Sequence, residues 1–203
     1  MKDLVIIGGK APESLGIDIS SYKRIIAADS GYDTAKRLGI KPTDIVGDFD
    51  STSFSAEILS LGYKPCSRDK DDTDAAIAIK AAGDVFDIIG GGEGRIDHTL
   101  SLLIAFRTIK APAQWFLRSD TLRLVSESVS FTAPSGTDVS IIPVSSAVVT
   151  THGLRWDIDG VELSDFFISQ SNRVEGNKAE IKTTAPVFLR FFPEDYHKVV
   201  FNA

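Results

Sequence analysis

Leu4-Val5-Ile6-Ile7-Gly8-Gly9 is a short β-branched run that ends in a glycine pair, and the same form is repeated three times before residue 93. Arg24–Ala28 ends in Asp29-Ser30-Gly31, Asp44–Val46 in Gly47-Asp48-Phe49-Asp50, and Val85–Ile89 in Gly90-Gly91-Gly92. Apolar runs of this length, bounded by turn residues, read as strands buried on both faces of a sheet. Helical patterns fill the gaps: Tyr32–Leu38 and Ser53–Leu61, closed by Gly39 and Gly62 as left-handed C-caps, then Asp74–Ala82 and Asp97–Ile109. The last carries Leu100, Leu103, Ile104 and Phe106 on roughly one face. This βαβα alternation predicts an α/β N-terminal domain with a mostly parallel, doubly wound sheet.

From about Gln114 the helical period disappears. Trp115–Leu117, Leu122–Val125, Val139–Ile142, Ala179–Lys182 and Val187–Phe191 are short strand-like runs, separated by Pro134-Ser135-Gly136, Asp159-Gly160 and Glu175-Gly176-Asn177. They predict an all-β antiparallel sandwich domain. The expected division is 1–125 and 126–203. Nothing between the two halves has the composition of a flexible linker.

Composition narrows the function. Hydrophobic residues are 43% and charged residues 25% of the 203, the balance of a folded, water-soluble chain. A net charge of −6 argues against nucleic acid as a partner, because phosphate-backbone binders need a basic footprint. No apolar run approaches the roughly 20 residues of a membrane span, and Leu4–Ile7 is too short for a signal peptide. The lone Cys66 rules out an intrachain disulfide and suits a reducing compartment, so the cytoplasm is the expected location.

In open parallel sheets ligands bind beyond the carboxyl ends of the strands, where these turns converge. The crevice should be acidic. Asp48 and Asp50 are two apart on a segment read as extended, with Phe49 turned the other way into the core. Carboxylates about 7 Å apart repel by roughly 2 kcal/mol at an effective dielectric near 20, a cost that a divalent cation reverses. The expected occupant is Mg²⁺, which takes carboxylate ligands and fills its other positions with water and phosphate oxygens, here those of ATP. In Asp69-Lys70-Asp71-Asp72-Thr73-Asp74, just before a helix, Asp72 is the expected cap and Asp74 the third metal carboxylate. Lys70 offers a charge for phosphate. Gly90-Gly91-Gly92-Glu93-Gly94-Arg95 lies between a strand and a helix, where backbone N–H groups receive phosphate and Arg95 can bind it bidentately. It is neither the dinucleotide fingerprint nor a P-loop. Asp97 is placed to orient a substrate hydroxyl, whereas His98 reads as structural.

In order and spacing, Ala28-Asp29-Ser30-Gly31, Gly47-Asp48-Phe49-Asp50-Ser51, Asp69–Asp74, Gly92-Glu93-Gly94-Arg95-Ile96-Asp97-His98, Thr150–Trp156 and Ser169-Gln170-Ser171-Asn172 resemble the motifs of thiamine pyrophosphokinases. The resemblance implies an α/β domain holding ATP, a β-sandwich domain, and a homodimer with thiamine bound between subunits. It implies that Asp48, Asp50 and Asp74 bind Mg²⁺, and that the thiamine hydroxyl attacks the β-phosphorus of ATP with AMP leaving. Asp48, Asp50, Asp74 and Asp97 are then the catalytic set. Gly8, Gly9, Asp29, Ser30, Gly31, Lys70, Thr73, Gly91, Gly92 and Arg95 fall on the ATP side. Trp156, Ser169, Ser171 and Asn172, with Asp97, fall on the thiamine side; an indole face and amide or hydroxyl groups suit a cationic thiazolium and a flat aminopyrimidine. Ser30-Gly31-Tyr32-Asp33 departs from the family, which usually has a second glycine and an asparagine there. The rival readings are a metal-dependent nucleotide-sugar transferase and a non-catalytic nucleotide sensor.

Overall fold

β1 (Lys2–Ile6), β2 (Tyr22–Ala28), β3 (Asp44–Val46), β4 (Phe86–Ile89) and β5 (Gln114–Phe116) form a parallel sheet in the order β5-β4-β1-β2-β3. The computed structural model describes all residues except 68, 70, 165, 166 and 203, so Lys70 lies outside the described residues. The chain divides into two compact units, Met1–Arg118 and Ser119–Ala203. In the first, Leu4, Val5, Ile6, Ala27, Ile88 and Ile89 are buried, which is why these runs are apolar throughout rather than alternating. β1 is central, and sequence order runs outward from it in both directions. The ends of β1, β2 and β4 are level, with Ile6 opposite both Ala27 and Ile89.

The connecting helices are α1 (Gly31–Arg37), α2 (Ser55–Ser60), α3 (Asp74–Ala81) and α4 (Ile96–Thr108). Gly39 and Gly62 follow α1 and α2 with φ of 68° and 90°, the left-handed terminations that the sequence signals. Three expectations are corrected. The strand at 115–117, expected to be antiparallel, is β5 and pairs parallel with β4. A three-residue strand carries no periodicity from which orientation can be read. Thr73, not Asp72, caps α3, accepting a hydrogen bond from the Ala76 N–H, while Asp72 pairs with Lys80 at 2.7 Å. On α4 the buried residues are Leu102, Ala105 and Phe106, with Phe106 edge-on to Trp115 at 5.0 Å. Leu100, Leu103 and Ile104 are exposed, so of the apolar stripe legible in the sequence this unit buries only Phe106.

The second unit consists of antiparallel strands in two groups. One runs β11 (Ser169–Arg173), β8 (Asp138–Pro143), β13 (Val187–Phe191) and β6 (Thr121–Val125). The other runs β10 (Val161–Leu163), β9 (Ala147–His152), β12 (Lys178–Thr183), β7 (Ser128–Thr132) and β14 (Val200–Asn202). Inward-facing Val139, Ile141, Val187 and Leu189 from the first group share one core with Phe131, Val149 and Ile181 from the second. β11 escapes a hydrophobicity reading because Ser-Gln-Ser-Asn-Arg carries almost no apolar surface, and β7, Ser-Val-Ser-Phe-Thr, is a short run in which only Val129 and Phe131 alternate with polar residues. Their pairing comes from neighbouring strands.

Phe131 is fully buried and edge-on to Phe191, with centroids 5.7 Å apart. Phe131→Ala is expected to destabilise the protein by about 3–5 kcal/mol, the usual range for emptying a core aromatic site. Equilibrium denaturant unfolding measures this directly.

Candidate active site

The turns after β1 and β4 are held together backbone to backbone. The Gly91 N–H donates to the Gly8 carbonyl at 2.7 Å, and the Lys10 N–H to the Gly92 carbonyl at 3.0 Å. Gly31 starts α1 so close to β1 that a Cβ there would lie 2.1 Å from the Ile6 carbonyl oxygen, and at Gly90 one would lie 2.4 Å from that of Ile7. Only glycine permits this approach. It leaves a cavity of about 530 Å³ at the carboxyl ends of the strands. Gly8, Gly9, Asp29, Ser30, Asp50, Thr73, Asp74, Gly91, Gly92 and Arg95 line it, joined by Ser51, His98 and Ser101. Gly31 sits beneath the wall as the seat of α1 rather than on the lining.

Asp48 and Asp50 do not lie on an extended segment. Phe49 takes a left-handed φ of 62°, strained for a bulky residue, and is held there by burial against Ala27, Tyr32, Ile45 and Ile58. The turn gathers the carboxylates. One oxygen from each of Asp29, Asp48 and Asp50 lies within 4.8 Å of the others. Asp29, which the sequence places among nucleotide contacts, is therefore the third member of the tightest carboxylate group among the described residues. Asp74 lies outside that group, on the lining of the same cavity.

Asp29 is the unusual member. Only 8% of it is exposed, its backbone is left-handed with φ of 47°, and its Oδ1 is buried with no hydrogen-bond partner. Burial, helped by the nearby Asp74 charge, pushes its carboxyl above the usual range, against hydrogen bonds from Ser30 and Ser51. A buried, unsatisfied anionic oxygen beside two further carboxylates is the donor set that a hard divalent cation stabilises. The residues present fit such an ion.

Arg95 lines the cavity and pairs with Asp97 at 2.5 Å; this ion pair holds the Asp97 carboxyl below its usual range. Both side chains are largely exposed.

In the second unit Trp156 is 55% exposed and therefore not an ordinary core aromatic. Its main chain is clamped by Asn172. The Trp156 N–H donates to Asn172 Oδ1 at 3.2 Å, and Asn172 Nδ2 donates to the Trp156 carbonyl at 2.8 Å. From the other side Asp157 accepts from Thr151, Gly153 and Leu154. Ser171, with φ of 55°, donates its N–H to the Ser140 hydroxyl, and Ser169 pairs with Ile141 at the edge of β8. Asn172 is buried, and most of its amide is engaged with the main chain. An asparagine in a polar strand gives no sequence sign of such a clamp.

A parallel sheet with glycine turns and clustered carboxylates at its carboxyl edge, followed by an all-β antiparallel unit, is an arrangement in which ligands bind beyond the ends of the strands. The family model described as thiamin pyrophosphokinase, catalytic domain, matches residues 18–114, and the thiamin pyrophosphokinase vitamin B1 binding domain matches residues 125–188. The chain belongs to the thiamin pyrophosphokinase family, enzymes of ATP-dependent thiamine diphosphorylation. Solved structures agree in fold. A thiamin pyrophosphokinase family protein from Enterococcus faecalis has a TM-score of 0.75 at 17% identity, covering 95% of this chain and 99% of that one. Thiamin pyrophosphokinase from Candida albicans has a TM-score of 0.68 at 17% identity, covering 94% and 89%. That from Bacillus subtilis has 0.67 at 19% identity, covering 94% and 98%. No curated protein sequence matches the chain.

A carboxyl whose pKa is raised by folding holds its proton more tightly in the folded state, so stability falls as pH climbs from the unfolded pKa, about 4, through the raised value. Asp29→Asn removes that penalty. It is expected to raise the melting temperature of the metal-free protein at neutral pH, with the gain fading below about pH 4. Thermal unfolding in a chelator at both pH values checks the sign; a lower melting temperature at neutral pH would contradict it.

Proposed function

We propose that the chain moves the terminal diphosphate of ATP onto the hydroxyl of thiamine, and that Mg²⁺ held by Asp29, Asp48 and Asp50 assists the transfer. The observation that carries this is the Asp29 carboxyl, which has one oxygen buried without a donor and an oxygen within 4.8 Å of those of Asp48 and Asp50, beside a glycine-lined cavity. Asp74, on the same wall, is assigned as a further carboxylate of the set. When bound, the ion neutralises phosphate charge and polarises the β-phosphorus.

The chain's own groups supply position. The N–H groups of the glycine turns and the Ser30 and Thr73 hydroxyls are assigned to the triphosphate, with Arg95 as its cation. Asp97 is assigned to orient the thiamine hydroxyl, whose oxygen bonds to the β-phosphorus as the bond from that phosphorus to the α-phosphate oxygen breaks and AMP departs. Trp156, exposed on a braced loop, is assigned to a thiamine ring, with Ser169 and Ser171 nearby in sequence on β11. Asn172 is assigned to the same site through Trp156. A sugar-nucleotide transferase is not favoured, because both family models specify thiamin.

Several finer assignments belong to this proposal. The first unit is assigned to binding ATP and Mg²⁺, with a doubly wound sheet, and the second, in which β6 pairs with β13, to thiamine binding and dimerisation as a β-sandwich, so the division falls at 118/119 and not at 125/126. As in the family it resembles, the protein is assigned as a homodimer. The cytoplasm is its proposed location; no helix among the described residues is long and apolar enough to cross a membrane.

Incubation with ATP, Mg²⁺ and thiamine is expected to release AMP and thiamine diphosphate; release of ADP instead would overturn the reaction. Asp50→Asn should lower kcat by about a hundredfold or more, as loss of a key electrostatic group does. A near-native rate would remove Asp50 from the metal set. Trp156→Ala should raise KM for thiamine more than KM for ATP, and equal effects in steady-state kinetics would detach Trp156 from the thiamine site.

A further inference from the structure

Asp33 stands where the family resemblance leads one to expect an asparagine, and its carboxylate does not face the nucleotide cavity. One oxygen accepts a hydrogen bond from the Thr52 hydroxyl, and the other accepts from the Ser53 N–H at 3.0 Å. Thr52 is buried, and its hydroxyl oxygen in turn accepts from the Phe54 N–H at 3.2 Å. Three consecutive residues after Asp50 and Ser51 are thus tied, directly or through Thr52, to a single carboxylate in the first turn of α1. That helix is seated rigidly, because Gly31 lies against the Ile6 carbonyl and Tyr32 is buried beside Phe49. Its Tyr32 hydroxyl also donates to Glu57 on α2 at 2.9 Å.

We propose that Asp33 is the positioning residue that fixes the loop carrying Asp48 and Asp50, closing the carboxylate group around Asp29 into a geometry that holds a divalent cation. This rests on the metal reading given above. The loop has two anchors. Phe49 pins its start in the core, although its left-handed backbone carries strain that would relax if the loop were free. Asp33 pins its end. Between them, Ser51 donates to Asp50 Oδ1 at 2.9 Å, and the Asp50 N–H meets Asp48 Oδ1 at 3.2 Å. Three carboxylates gathered this closely repel one another, so without a second anchor the segment would drift outward. Burial tends to raise the Asp33 carboxyl, but the hydrogen bonds from Thr52 and Ser53 prevail and hold it below the usual range, so it is an anionic double acceptor at neutral pH. An asparagine offers one acceptor oxygen instead of two and no charge. The departure at this position therefore strengthens the brace rather than altering nucleotide contact.

The test compares the full-length protein with Asp33→Ala and Asp33→Asn. Binding of Mn²⁺, followed by the loss of its free-ion EPR signal, is expected to weaken about tenfold in Asp33→Ala, as removal of an outer-shell partner does, and less in Asp33→Asn. Hydrogen exchange of the 47–54 segment should quicken in the same order, while exchange in β1 and β4 stays unchanged. Unaltered Mn²⁺ affinity and unaltered exchange in a folded Asp33→Ala variant would overturn the proposal; if that variant does not fold, the same readouts on Asp33→Asn decide. If the native protein takes up no Mn²⁺, the metal reading fails by itself, and the proposal fails with it only when exchange at 47–54 is also indifferent to residue 33.

Discussion

Negative charge gathered at one end of a parallel sheet is the constraint around which the first unit is arranged. Asp29, Asp48 and Asp50 bring their oxygens within 4.8 Å of one another, and Asp29 Oδ1 is buried with no donor to meet it. In an isolated chain such a group is unfavourable, and it persists because the surroundings leave it no alternative. A core around the Phe49 ring and the brace from Asp33 act against that repulsion and against the backbone strain at Asp29 and Phe49. Carboxylates held together at a loss in stability are what preorganisation for a cation would require.

The glycine turns serve the same end by different means. They bring β1, β2 and β4 to one level and let the turns touch through main-chain atoms, which leaves amide groups and an open cavity where side chains would otherwise fill the space. Phosphate recognition by backbone N–H groups requires that bareness. The second unit solves a different problem, holding a large aromatic ring out of the core. Asn172 and Asp157 brace the loop bearing Trp156 from opposite sides, so an exposed indole is presented on a fixed frame. Presentation of this kind limits the entropy that a ligand must remove when it docks on the ring.

Much of the fold was legible before any coordinates. The β-branched runs ending in glycine or acidic turns identified β1 to β4 because buried parallel strands must be apolar on both faces. The acidic residues at the strand ends were legible as a group, but Asp48 and Asp50 were read on an extended segment, and it is the left-handed turn at Phe49 that brings them together. The direction of β5 was not legible, since Gln114-Trp115-Phe116 has the same composition whichever way it pairs. Nor was β11, whose polar residues contribute little to a hydrophobic pattern, and β7 offers only the Val129 and Phe131 pair between serines. Of the α4 face read from periodicity, the helix buries Phe106, together with Leu102, and leaves Leu100, Leu103 and Ile104 in solvent.

The amino-acid sequence by itself determined which residues carry charge, which runs must be buried and where the chain must turn, because those depend on side-chain chemistry and local conformational preference. It also determined the family, through motifs whose order survives without knowledge of their contacts. Which carboxylates meet was decided only by the tertiary structure. Asp29 lies nineteen residues before Asp48 and joins it because β2 and β3 pair side by side, and Asp33 reaches Thr52 for the same reason. Proximity between distant positions follows from strand order and register, and neither is written at any single residue.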